Sequence, residues 1–170
     1  PEMVKEKLSV AYEMIAKMPE SWLREVPYAA EIATLLALEE SKEEGYEKAE
    51  ELLVYALDHF MRTPNTYYIA GGVAVRTGRP RLALEFYDQC LNFQDCVLVV
   101  PIEDGLADFA SWHAIGAAWS ELGFDDRGLE YLEATFLKKP EYLPGVLGLS
   151  SQYLKKNDPA KAIAVLSYHL

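Results

Sequence analysis

Trp112-His-Ala-Ile115-Gly116-Ala-Ala-Trp119 decides the fold. Its aromatic, aliphatic, small and aromatic residues stand at offsets 0, 3, 4 and 7, which puts them on one face of a helix. Gly123 then marks a turn, Gly128 and Leu132 lie four apart on a second helix, and Pro140 stops it because proline has no N–H for the helical ladder. The pattern recurs along the chain. Thirty-four residues on, the same offsets give Val146, Leu149, Ser150 and Tyr153, then Ala162 and Leu166. A shift back of 45, which is 34 plus an insertion of 11, gives Tyr67, Ala70, Gly71 and Ala74, then Ala83 and Tyr87. A further 34 back lie Ala33, Leu36, Ala37 and Glu40, then Ala49 and Leu53. One anchor on each helix agrees on every shift, so the period belongs to a repeat.

This spacing resembles the tetratricopeptide pattern, in which a bulky residue, a Leu-Gly pair and a Tyr mark the first helix and an Ala and a Phe the second. Gly128 stands where that pattern has its alanine. The resemblance implies an all-α fold, a right-handed superhelix of antiparallel helix pairs, in a single domain over residues 1–170. The expected division is a leading helix and linker at 3–26, repeats at 30–63, 64–97 and 109–142, an insertion at 98–108 and a clipped fourth repeat at 143–170. Thr63-Pro64 and Asp158-Pro159 set a capping residue before a proline at a helix's first position, and Gly45, Gly78 and Gly123 fall where each pair must turn. Val4, Leu8, Ala11, Tyr12 and Ile15 share one face of the leading helix, which is expected to cap the first repeat. Val97 to Val100 is expected to be a packed loop, since the chain offers it no partner strand.

Composition narrows the function. Apolar residues make up 51% of the chain, enough to bury a core. Sixteen basic residues against 27 acidic ones give a net charge of −11, which disfavours a nucleic-acid backbone or an anionic membrane as partner. Cys90 and Cys96 are too few for a disulfide framework and lack zinc-site spacing, so a reduced, cytoplasmic setting is expected. No stretch approaches the roughly 20 apolar residues that span a bilayer. His59, His113 and His169 have no His, Cys or carboxylate at metal spacing on their helix faces, so neither a metal nor a cofactor is expected. Glu39-Glu40, Glu43-Glu44 and Asp125-Asp126 read as solvated helix charge, and Gly71-Gly72 as a site of close helix packing. No glycine-rich phosphate loop or paired acid and base is present, and the chain is not expected to be an enzyme.

Stacked helix pairs produce a curved surface, and in the tetratricopeptide family the first helices line its concave side. The first-helix residues off the packing offsets are therefore the expected peptide groove: Tyr68, Gly72, Val75 and Arg76, then His113, Ala117 and Glu121, then Leu147, Ser151 and Lys155. Tyr68, Arg76 and His113 are the expected anchors for an extended peptide, since aromatic and arginine side chains are favoured at binding hot spots. The family's carboxylate clamp of lysines and asparagines is missing, because Thr34, Leu38, Ile69 and Ala114 occupy its places.

Residues 64–170 are also similar to the tetratricopeptide region behind bacterial family-2 glycosyltransferase domains, through Glu103-Asp104-Gly105, Phe109, Ile115-Gly116, Cys90-Leu91, Pro140 and Tyr142-Leu-Pro144. That likeness implies a non-catalytic appendage that recognises an acceptor or assembles the enzyme. The terminal Pro1 suits a processed chain or a piece of a longer one. Ile163, Val165 and Leu166 sit just before the end of the sequence without a polar capping helix, which predicts a face covered by further chain or by a second copy in a homodimer.

Overall fold

The computed structural model describes residues 2–26, 28–96 and 100–168, and these form ten helices and no strand. Two lead the chain, α1 (Glu2–Ala16) and the short α2 (Glu20–Leu23). Four antiparallel pairs follow: α3 (Ala29–Lys42) with α4 (Tyr46–His59), α5 (Pro64–Arg76) with α6 (Pro80–Leu91), α7 (Phe109–Glu121) with α8 (Asp125–Lys138), and α9 (Leu143–Lys155) with α10 (Pro159–Ser167). Each pair packs on the next, α3 also meets α5, α7 meets α9, and α1 lies against α3. Val97 to Val99 and His169 fall outside the described residues, and with them most of the expected packed loop.

Local chemistry sets the helix ends. Thr63 Oγ1 accepts the Thr66 N–H at 3.3 Å and Asp158 Oδ1 the Lys161 N–H at 3.1 Å, each ahead of a proline. The turn after each first helix closes on one left-handed residue: Glu44 (φ 62°), Gly78 (72°), Gly123 (83°) and Asn157 (60°). These four sites repeat the spacings 34, 45 and 34. Gly45 was the expected turn residue of the first pair, but its φ is −76°. Its smallness serves a different contact. The Gly45 N–H donates to the Glu40 carbonyl at 3.0 Å, and a Cβ there would stand 3.1 Å from that oxygen.

The repeat offsets supply the core. Ala33, Leu36, Ala37, Ala49 and Leu53 are buried in the first pair, and Leu132, Val146, Leu149, Tyr153 and Ala162 at the other end. Glycine replaces alanine at 128 because α7 and α8 touch there: a Cβ on Gly128 would meet the Gly116 carbonyl at 2.7 Å. Glu40, expected on a solvated face, is 5% exposed. It is tolerated because Lys5 of α1 and Lys48 of α4 approach its carboxylate at 2.9 and 2.7 Å. Burial opposes its ionisation, yet the two lysines outweigh that and hold the carboxyl below its ordinary value. Val4 and Leu166 depart from expectation in the other direction, at 52% and 42% exposed, since no described helix covers either.

The insertion is built into the fold. Val100 and Leu106 are buried, and Leu106, Phe109 and Ala110 make a small core with Tyr68, Trp112 and Tyr142 against it. Ser111 Oγ donates to the Leu106 carbonyl at 2.6 Å, and the Asp108 carboxylate takes the Phe109 N–H at 2.6 Å to start α7. Removing this segment therefore removes core as well as loop.

Candidate peptide-binding groove

The residues of α3 and α5 that avoid the core offsets leave a cavity of about 430 Å³ between the two helices. Leu38, Ser41 and Lys42 line it from α3, Ile69, Gly72 and Arg76 from α5, with Glu44 and Tyr46 at the turn and Tyr68 at its inner end. Its floor is apolar because Leu38, Ile69 and Val73 turn inward. Gly72 keeps it open: nothing lies within 4 Å of where its Cβ would stand. This corrects the expectation that both glycines serve packing. Only Gly71 does, where a side chain would run into the Tyr87 ring.

Charge is arranged unevenly around the cavity. Lys42 is paired with Glu39 at 2.6 Å, and Glu44 stands at the rim. Arg76 is exposed at the mouth and has no ion pair among the described residues. Ser41 Oγ is already donating to the Leu38 carbonyl at 2.8 Å.

The other expected groove residues are placed differently. Tyr68 is half-buried, its ring tilted 53° against that of Tyr87 with centroids 5.5 Å apart, and hydrogen-bonded to Tyr142; burial, foremost, raises its pKa. It forms the cavity's inner wall. His113 is wedged between α7 and α9, edge-on to Tyr142 at 5.8 Å, and a Cβ on Gly148 would stand 3.1 Å from its Nε2. Burial lowers its pKa against a weaker opposing hydrogen bond at Pro144, so it is neutral at pH 7. Val75 is half-buried against the core of the second pair. Ala117, Glu121, Leu147, Ser151 and Lys155 are exposed on α7 and α9, outside the cavity. Lys155 is held by Asp125 at 2.6 Å. Sequence reasoning missed Leu38, Ser41, Lys42, Glu44, Tyr46, Ile69 and Val73 as groove residues. The α3 positions at the offsets of Gly72, Val75 and Arg76 are Leu38, Ser41 and Lys42, one period back, so these three were within reach of the repeat register.

Neither a protein-family model nor a curated protein matches the chain. Solved structures do. The crystal structure of MamA superposes with a TM-score of 0.68 at 16% identity, over 98% of this chain and 88% of that one. YrrB, described as a TPR protein with an unusual peptide-binding site, gives 0.66 at 20% identity, over 95% and 76%. The nearly identical TPR-like repeats of a putative kinesin light chain from Podospora anserina give 0.68 at 19%, over 96% and 82%. The fold is a tetratricopeptide solenoid. At these identities the likeness carries the architecture alone. Among the described residues no helix is long and apolar enough to cross a membrane, and no three His, Cys, Asp or Glu side chains gather at metal-binding distance.

Proposed function

We propose that the chain is a non-catalytic protein-interaction scaffold whose concave face takes an extended peptide or protein segment between α3 and α5. The cavity kept open by Gly72 supports this most, since it combines an apolar floor with an unpaired arginine at its mouth. YrrB, on the same fold, is described with a peptide-binding site of its own. Tyr68, Gly72 and Arg76 form the site in this reading, with Leu38, Lys42 and Ile69 beside them. Ala117, Glu121, Ser151 and Lys155 extend the face away from the cavity, while Val75 and His113 are packed beneath it. Panning a random peptide library on the chain tests the reading. Selected peptides are expected to lose at least tenfold in affinity on Gly72→Trp and on Arg76→Glu while the circular dichroism stays helical. Peptides indifferent to both substitutions would put the binding surface elsewhere.

Two further readings have an observation behind them. An appendage to a larger bacterial glycosyltransferase rests on the sequence likeness, two of whose marks touch: Gly105 (φ 84°) lies so close to Phe109 that a side chain at 105 would enter its ring. A native product several times heavier than 19.2 kDa supports that reading, and one of that mass removes it. Self-association through α10 is supported by Ile163 and Leu166, 63% and 42% exposed side by side. Sedimentation that stays monomeric across a wide concentration range removes it.

A further inference from the structure

Beyond the cavity, at the first turns of α3 and α5, the chain's own insertion is held against α5. Glu31, Leu38 and Lys42 of α3 lie at offsets 0, 7 and 11, and Asn65, Gly72 and Arg76 of α5 repeat those offsets, so each row runs along one helix face. The lower members of both rows line the cavity. Of the first members, Asn65 holds the chain's own insertion and Glu31 holds Asn65. Asn65 Nδ2 donates to Glu31 Oε2 at 2.8 Å and to the Pro101 carbonyl at 3.1 Å, while Asn65 Oδ1 accepts the Glu103 N–H at 3.3 Å. A carboxylate and a carbonyl need the amide's NH2 and an N–H needs its oxygen, so these three contacts fix the orientation of the side chain. Thr63 Oγ1 donates to Glu31 Oε1 at 3.0 Å and holds the carboxylate in place. Asn65 therefore grips the segment's main chain on both its donor and acceptor sides.

We propose that residues 101–104 are a resident peptide at the upper end of the groove, and that the partner is an extended acidic segment that displaces them and runs on to Arg76. This rests on the groove reading above. Pro-Ile-Glu-Asp is held through its main chain, while its side chains are exposed and the Asp104 carboxylate lies 3.8 Å from Lys139, so it is Arg76 that calls for an acidic partner. Of the acidic groups facing the groove, Glu31 is hydrogen-bonded, Glu39 is paired with Lys42, and Glu44 stands at the far rim. Arg76 is left as the attraction for a negative group, in a chain whose net charge of −11 otherwise repels one. Two neutral hydrogen bonds form the clasp at Asn65, a hold that a partner making the same pair can replace.

The probe is the acetylated and amidated peptide Val-Pro-Ile-Glu-Asp-Gly-Leu, residues 100–106, titrated into the full chain and into a variant carrying Pro101→Gly, Ile102→Ser, Glu103→Gly and Asp104→Ser, which keeps the main-chain groups of the clasp but raises the entropy cost of ordering the segment on Asn65. Binding is expected to be at least tenfold tighter to the variant, and to weaken about fivefold when Asn65→Ala is added, as loss of a hydrogen-bonded clasp requires. Equal affinity for wild type and variant, or indifference to Asn65→Ala, overturns the proposal. Should the variant fail to fold, the wild-type chain decides: excess peptide must speed amide exchange at Glu103, and unchanged exchange overturns the proposal. A panned peptide that Gly72→Trp abolishes but the four-residue replacement leaves unchanged sinks the resident peptide and keeps the groove. One that ignores both sinks the groove as well.

Discussion

Gly71 and Gly72 adjoin in α5 but answer to different neighbours. A methyl group at 71 would collide with the buried Tyr87 ring, whereas one at 72 meets open space. Gly71→Ala is therefore expected to lose about 1–3 kcal/mol by overpacking. Gly72→Ala should gain up to about 1 kcal/mol, because glycine inside a helix costs backbone entropy. Urea denaturation of the two variants measures both, and equal effects would contradict the packing described. Glu44 carries a related strain, since its φ of 62° sits where Gly78 and Gly123 serve later repeats. Glu44→Gly should stabilise the chain by about 0.5–1 kcal/mol in the same assay. Position 44 shows where the sequence misled. A glycine one residue further on, Gly45, drew the turn to itself, and only the backbone shows that its task is to let the Glu40 carbonyl approach.

Between elements, Glu40 joins three helices. It leaves the end of α3 at a core offset and meets Lys5 from α1 and Lys48 from α4. Its folded-state pKa is held below the ordinary 4.5, so the carboxylate's contribution to stability is present above pH 4.5 and is lost as the pH falls through and below it. Wild type and Glu40→Gln are expected to differ most in thermal midpoint near pH 7 and to converge below pH 4.5, with α1 detaching first in the variant. A gap that persists in acid would remove the ion pairs as its cause. Within a single helix pair, the 34-residue offsets were enough to place Ala49, Leu53, Ala83, Leu132 and Ala162 in the core. Glu40 and the insertion were harder to read, because their partners come from elsewhere in the chain. Lys5 is 35 residues from Glu40, and Asn65 is 36 from Pro101. No local period links them.

At the scale of the molecule, four helix pairs stack with α3 against α5 and α7 against α9, and a cavity lies between α3 and α5. The register placed Tyr68, Gly72 and Arg76 on one helix beside the cavity. It could not rank the expected groove positions, because openness depends on which neighbouring side chains lean over a site. His113 and Tyr68 occupy groove offsets, yet Tyr142, arriving from the turn after α8, packs against both. Arg76 and Gly72 have no such cover. The claim that the α3–α5 groove takes the partner is tested most directly by a two-dimensional NMR titration of the full chain with a panned peptide. Amide shifts are expected to cluster on Leu38, Ser41, Lys42, Ile69, Gly72 and Arg76, with a second group at Asn65 and Glu103 where the resident segment is displaced. A map centred on α4, α6 and α8, or on the exposed side of α1, would contradict the account.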